Sequence, residues 1–376
     1  MTRVLIAGVS TRGLAESAAR AGYEVVAVDG FGDLDLRAYA RTVTVTRAHG
    51  RFSIGAAIAA AREVPRDAAC YVASFENHPK AVEALAGRGR LWGNTPAVLS
   101  RVRDPEQLAR TLAARGFATP AVRFSVREVG GDAGRRWLVK PRASGGGARI
   151  RGWRGGRVPT ASYLQERIVG VPGSVVFVAD GSRAVPLGIT RALAGDRAFG
   201  TTGFTYCGSI LLDADEPLTE HATRLAVAVT EEFGLVGVNG VDFVAAHGAP
   251  LVVEVNPRYT AAMELVERAY GISIFDVHAR ACRGSLPSFS IPRHQGETLG
   301  KAIVYARRSV TPLGTAGWLA DPDVRDVPAS GEPIGLGHPI CTIFAQGRDP
   351  ERCRGALARR ASDLYRALER REARSA

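Results

Sequence analysis

GLVGVNGVDFVAAHGAPLVVEVNPR, residues 234–258, reads as two apolar strands separated by a turn at His247–Pro250. Each strand is interrupted by polar side chains: Asp242 on the first, Glu254 and Asn256 on the second. Residues two apart on a strand share a face, so Glu254 and Asn256 project together. If the strands are antiparallel neighbours, Asp242 meets them from the adjacent strand. Two carboxylates and an amide oxygen are hard ligands, suited to Mg²⁺ held between protein and nucleotide phosphates. Pro257 ends the strand, and Arg258 follows with a planar donor fork for phosphate or carboxylate. The plainer alternative is a solvated strand face, because burying such groups without partners is costly.

Upstream, WLVKPRASGGGARIRGW (137–153) places Lys140 at a strand end, before the flexible turn Ser144, Gly145, Gly146 and Gly147. Ala148–Trp153 reads as a returning strand. Backbone N–H groups in such a hairpin can approach phosphates closely, and a strand lysine adds a fixed positive charge. No helix follows and no Gly-Lys-Ser/Thr closes the turn, so this is not a P-loop. An ordinary flexible hairpin is the alternative. Lysine occurs only at positions 80, 140 and 301. In so lysine-poor a chain, a lysine inside a motif carries weight.

The first third alternates strands (4–9, 24–30, 69–75) with helical stretches, which indicates a parallel sheet covered on both faces. Gly8-Val9-Ser10-Thr11-Arg12-Gly13 with Asp29 nearly reproduces a dinucleotide fingerprint. Ser10 replaces the middle glycine and would crowd a pyrophosphate. The readings left open are a nicotinamide or flavin site, or a phosphate-free turn shaping a substrate cleft. Helices are expected at 96–102, 104–115, 218–233, 263–270, 275–283 and from 350 to about 370. Short strands from residue 121 onward indicate an antiparallel α+β region, and 285–296 reads as a linker. The expected fold class is therefore α/β plus α+β.

The chain has 376 residues, enough for two or three domains at roughly 100–200 residues each. No apolar run approaches the ~20 residues of a membrane span, and the N-terminus lacks a signal-peptide cleavage site. Five scattered cysteines without a CxxC pair argue for reduced thiols, and so for a cytoplasmic protein without membrane association. A net charge of +12 would suit nucleic acid, but the arginines are spread along the chain. A nucleic-acid partner is therefore not expected. The seven histidines show no metal-ligand spacing.

In order, the strand lysine, the Gly-rich hairpin, Gln165-Glu166-Arg167-Ile168-Val169-Gly170, Asp242 and Glu254-Val255-Asn256-Pro257-Arg258 resemble the ATP-grasp superfamily over about residues 1–290. SFENHP (74–79), LWGN (91–94), YCGSI (206–210) and VVEVNPRYTAAMEL (252–265) look like the predicted ATP-dependent carboligases related to biotin carboxylase. The resemblance implies an ATP-grasp fold: a Rossmann-like domain (1–95), a helical connection (96–120), a small lobe or lid (121–170), a large lobe with the Mg-ATP site (171–290) and C-terminal strands and helix (291–376).

By function, the resemblance implies an ATP-dependent carboxylate–amine or carboxylate–thiol ligase working through an acylphosphate. Tyramine–glutamate ligases of cofactor biosynthesis offer a comparison. ATP with Mg²⁺ or Mn²⁺ is the implied cofactor set, and small-molecule carboxylates and amines are the implied substrates; a homodimer is open. Lys140 would contact the α/β-phosphates, the Ser144–Gly147 hairpin the β/γ-phosphates, and Gln165, Glu166, Arg167, Ile168 and Val169 the adenine. Asp242, Glu254 and Asn256 would hold the metal, and Arg258 with Lys140 would serve catalysis. Candidate substrate contacts are Ser10, Asp29, Phe75, Glu76 and Asn77, with Tyr259, Thr260 and Glu264 opposite. Glu76 and Glu264 would hold an ammonium group and Arg258 a carboxylate. Two departures stand out: Arg101, Arg103 and Pro105 where many superfamily members carry a second lysine, and Pro172 where many place a ribose-binding carboxylate. A nicotinamide- or flavin-linked oxidoreductase and a non-catalytic nucleotide-binding protein are the competing readings.

Overall fold

The computed structural model describes residues 1–375 except 46, 49–50, 88, 131–133, 214–215, 247–248 and 293–295. The turn expected at 247–250 and the linker expected at 285–296 lie partly outside the described residues. Arg3–Ala7 pairs in parallel with Glu24–Asp29 on one side and Ala68–Tyr71 on the other; Thr42–Val45 and Arg90–Leu91 form the edges. Val4, Leu5, Ile6 and Ala7 are fully buried, as a strand covered by helices on both faces requires. The helix Arg12–Arg20 follows the first strand, and Ile54–Arg62 and Pro79–Ala86 complete the cover. The last two helices fall where the sequence reading assigns no element. IGAAIAAAR is too uniformly small and apolar to display a 3.6-residue period.

Asp104 begins the helix Pro105–Ala114 by accepting from Glu106 N at 2.9 Å and Gln107 N at 3.0 Å, a cap worth about 1 kcal/mol. Beyond it, Val122–Arg123, Trp137–Pro141, Arg151–Gly152 and Ser162–Glu166 make a four-stranded antiparallel sheet. The returning strand expected at 148–153 is corrected to Arg151–Gly152 alone. Gly146, Gly147 and Arg149 have φ of 60°, 73° and 62°, and left-handed residues cannot continue an extended ladder.

The third sheet has eight strands in the order Ala249–Asn256, Val236–Ala246, Val171–Asp180, Ala184–Ala194, Tyr206–Leu211, Thr298–Tyr305, Pro339–Gly347 and Val324–Arg325. The strands beyond residue 291 thus extend the sheet built by residues 171–256. The helix Glu216–Phe233 packs Leu225, Val229 and Phe233 against Phe177, Val241 and Val255 on one side of it. The helix from Pro350 seats Cys353, Leu357 and Ala361, at helical spacing, on Ala302, Val304 and Ile343. Helix Ile274–Ala281 lies between this sheet and the N-terminal unit.

A buried ion cluster joins the N-terminal unit to the helix after the acid strands and to the C-terminal strands. All five N–H bonds of Arg12 are engaged: Nε with Asp326 at 2.9 Å, Nη1 with Glu16 at 3.0 Å and with Glu264, and Nη2 with Glu264 at 3.0 Å and Asp326 at 3.3 Å. Lys301 adds a 2.6 Å contact to Glu264. Asp35 accepts from Asp326 N and Val327 N, both at 2.9 Å. All five cysteines are free thiols, and among the described residues no helix is long and apolar enough to cross a membrane.

His278 ties helix Ile274–Ala281 to the large sheet. Its Nδ1 accepts from Val238 N at 3.0 Å and its Nε2 lies 3.2 Å from the Trp92 carbonyl, which fits a neutral ring protonated at Nε2. Gly237, with φ 73°, permits this approach; a Cβ there would lie 2.4 Å from Nδ1. Burial lowers the ring pKa from 6.5 to about 4. Its contribution is therefore complete above pH 6.5 and is lost as pH falls toward 4, by at most about 3 kcal/mol. Urea midpoints of the wild type should fall more steeply over that window than those of His278→Gln; equal slopes would contradict the assignment.

Candidate active site

The strands Val236–Ala246 and Ala249–Asn256 are antiparallel neighbours, with Asp242 opposite Glu254 and Gly240 opposite Asn256. Phe243 pairs with Val252, so Val253 is an extra residue, a bulge in the second strand. The bulge resets the alternation. Val252 and Val255 enter the core, while Val253, Glu254 and Asn256 face a cavity of about 600 Å³. Asn256 Nδ2 donates to Asp242 Oδ2 at 2.8 Å. Burial, followed by the Glu254 charge, raises the Asp242 carboxyl to about 6. Burial alone would raise Glu254 too, but Arg103 and Lys140 outweigh it and hold that carboxyl below its ordinary value.

Lys140 projects from the neighbouring lobe toward the same acids. Its Nζ lies 3.9 Å from Glu254 Oε2 and donates to Gln165 Oε1 at 3.1 Å. Gln165 Nε2 in turn donates to the carbonyl of the bulged Val253 at 3.2 Å. The bulge thereby fixes the lysine as well as the acids.

The glycine hairpin is closed over the cleft. Tyr206 N donates to Gly146 O at 2.9 Å, and Gly147 lies so close to the 204–205 backbone that a Cβ would stand 1.8 Å from Phe204 O. Arg103, which takes no part in the expected site, proves central. It contacts Glu254, and its Nη2 donates to Ser144 O and Asn77 Oδ1, both at 3.0 Å. It lies near the position where a second lysine is missing, and that absence was its only sequence signal.

Lys140, Gly146, Gly147, Asp242, Glu254, Asn256 and Arg258 line the large cavity, together with Ser10, Tyr259, Thr260 and Glu264. Ser144 and Gln165 line a narrower recess beside it that also includes Lys140 and Glu254. Gly145 stands over Glu76 and Arg258, with a built Cβ 3.9 Å and 4.0 Å from them. Glu166 turns to Ala121 N and Arg135, at 3.2 Å and 2.8 Å. Arg167 lines a separate hollow with Trp137 and Trp153. Ile168 is half-buried and Val169 is exposed, beside Pro172 at the cavity edge.

Several expected substrate contacts are corrected. Asp29 is buried and accepts from Thr11 N, Thr11 Oγ1, Phe31 N and Gly32 N at 2.6–2.8 Å, so it shapes its own turn and faces no ligand. Phe75 belongs to the core of the N-terminal sheet. Asn77 is engaged by Arg103. Glu76 and Arg258, assigned to opposite ends of a substrate, hold each other: Arg258 Nε donates to Glu76 Oε1 at 2.8 Å. Glu264 is neutralised by Arg12 and Lys301 and cannot serve as a free ammonium partner. The Gly8–Gly13 turn is packed by this chain itself. A Cβ at Gly8 would lie 2.3 Å from Val72 Cγ2, and one at Gly13 would lie 2.7 Å from the Tyr259 hydroxyl. With Asp29 saturated as well, a dinucleotide would not find there the free acid that its ribose needs.

Among the described residues no three His, Cys, Asp or Glu side chains cluster as a self-sufficient metal centre. The candidate ion site offers Asp242 and Glu254 with the Asn256 amide. That set fits a hard cation whose remaining ligands are phosphate oxygens and water, as is usual for Mg²⁺.

The ATP-grasp domain model matches residues 102–262. Over 155 residues the chain is 31% identical to the formate-dependent phosphoribosylglycinamide formyltransferase of Anaeromyxobacter dehalogenans. That match covers 38% of this chain and 39% of the relative, so the chain aligns with well under half of that protein. Among solved structures, an ADP complex of N5-carboxyaminoimidazole ribonucleotide synthetase superposes with TM-score 0.70 at 16% identity, covering 98% of both chains. The biotin carboxylase domain of Hydrogenobacter thermophilus 2-oxoglutarate carboxylase, in complex with MgADP, ADP and bicarbonate, gives TM-score 0.69 at 15% identity. It covers 92% of this chain and 86% of that one. The ATP-grasp domain match over 102–262 spans both Lys140 and the Asp242–Glu254 strand pair, and the chain shares its fold almost end to end with these solved structures.

Proposed function

We propose that the chain is an ATP- and Mg²⁺-dependent ligase that activates a small-molecule carboxylate as its acylphosphate and transfers the acyl group to an amine. The observation that carries this reading is the convergence of Asp242, Glu254, Asn256 and Lys140 beneath a closed glycine hairpin. The curated relative is by name formate-dependent, and formate is a carboxylate. Lys140 would hold the α/β-phosphates, the Ser144–Gly147 hairpin the β/γ-phosphates, and the backbone of the segment Gln165–Val169 the adenine, the Glu166 and Arg167 side chains being turned elsewhere. Asp242, Glu254 and Asn256 would hold Mg²⁺, which when bound supplies charge neutralisation on the phosphates.

A substrate carboxylate oxygen attacks the γ-phosphorus, the bond to the β-bridging oxygen breaks, and ADP leaves. The amine nitrogen then attacks the acyl carbon and phosphate departs, with one proton lost from nitrogen. Arg258, positioned by Glu76 and by Asn256 Oδ1 at 3.2 Å, would steady the transferred phosphoryl group. No side chain is required as covalent nucleophile, because positioning and charge neutralisation dominate phosphoryl transfer. The nicotinamide or flavin reading has no comparable support, since the acid it would use, Asp29, is taken up by its own turn.

Two outcomes test the reading. Asp242→Asn combined with Glu254→Gln should reduce ADP release from a pool of carboxylates and amines by about 100-fold or more, measured where circular dichroism shows both proteins folded, since the Arg103 and Lys140 charges lose their partner. Undiminished ADP release by the double variant would reject it. Gly147→Ala places a side chain against Phe204 O at φ 73° and should lift the hairpin. The KM for ATP should rise about 10-fold while global stability moves little, the hairpin lying outside the main cores. An unchanged KM would mean that the hairpin does not cover the nucleotide.

A further inference from the structure

Phe31, Asp33, Asp326, Ile340 and Cys341 also line the cavity, where the N-terminal unit meets the C-terminal strands. Asp33 there is an anomaly. It is 7% exposed and lines the cavity, yet among the described residues its carboxylate accepts no hydrogen bond. Its neighbour Arg12 has no donor to give, since Glu16, Glu264 and Asp326 take all five. Asp35, two residues on, is held by the 326–327 backbone, and Asp29 by its own turn. Burial, followed by Asp326, Asp29 and Asp35, pushes the Asp33 carboxyl well above its ordinary value. An unpartnered buried carboxyl facing a cavity is costly unless a ligand completes it. Lys301, which also lines the cavity, is committed to Glu264 at 2.6 Å.

We infer that Asp33, with Asp326 beside it, is the anchor for an ammonium group on one of the two substrates, whose apolar body lies along Phe31 and Ile340. This rests on the ligase reading and deepens it by giving the substrate class: a small molecule with a protonated amine on an apolar frame. The anchored ammonium is not the attacking nitrogen. A carboxylate-rich wall favours the charged form, and a protonated amine has no lone pair to offer. The role expected of Glu76 and Glu264 thus passes to Asp33, the carboxyl that no cation of this chain has claimed.

The test is calorimetry on the full chain with phenethylammonium and with its neutral isostere phenethyl alcohol, for wild type and Asp33→Asn. The substitution keeps shape and removes charge, and the Asp33 side chain caps no helix N–H, so the fold should persist. Wild type should prefer the ammonium by at least about 10-fold, and Asp33→Asn should lose that preference while its urea midpoint rises or holds and its Mg-ATP affinity stays unchanged. Equal binding of the two probes by wild type, or an intact preference in Asp33→Asn, would overturn the inference. Mg-ATP titrations on the same samples separate the two readings: loss of nucleotide binding by wild type would refute the ligase, and intact nucleotide binding without ammonium preference would refute only the anchor.

Discussion

The pairing of Asp242 with Glu254 across two antiparallel strands is the constraint on which the site depends. Side-chain direction along a strand has a period of two, so a slip of one residue would exchange core and cavity faces. The bulge at Val253 introduces one such phase change deliberately. Val252 and Val255 both reach the core although three positions separate them, and Glu254 and Asn256 both reach the cavity. The carbonyl of Val253 then receives Gln165, which holds Lys140. One irregularity in one strand therefore positions the acids and also the cation that faces them.

The second constraint is the buried Arg12 cluster. It draws Glu16 from the N-terminal unit, Glu264 from the helix after the acid strands, and Asp326 from the C-terminal strands onto one guanidinium. Removing one member of such a cluster leaves an uncompensated buried charge, at about 3–5 kcal/mol. Its consequence for function is geometric. By tying the N-terminal unit to the large sheet around one cavity, the cluster fixes the relation between the wall that carries Asp242 and Glu254 and the wall that carries Asp33. Asp33 lies just outside the cluster, and its missing partner follows from Arg12 being fully engaged.

Legibility in the sequence follows the range of the interaction. Polar positions two apart on an apolar strand, a run of glycines after a strand lysine, and an Asp-Pro helix start are all local signals, and each element lies where the pattern places it. The alternation of strands and helices in the first third likewise indicated the parallel sheet. The bulge was not legible, because VVEV is compatible with either phase until the partner strand fixes it. Nor were the ion clusters: Arg12 meets Glu264 and Asp326 across 252 and 314 positions. That distance is why Glu76 and Glu264 looked available to a substrate when other parts of the chain had already neutralised them. A usable clue lay in composition. Of three lysines, two are almost fully buried, Lys140 at the acid pair and Lys301 at Glu264.

The most direct test of the proposed nucleotide site is a crystal grown with Mn²⁺ and a non-hydrolysable ATP analogue, measured for anomalous scattering. The account predicts manganese peaks within coordinating distance of the Asp242 and Glu254 carboxylates, with the triphosphate under the Ser144–Gly147 hairpin and near Lys140. A nucleotide seated in the Gly8–Gly13 turn, or manganese bound away from both carboxylates, would contradict it.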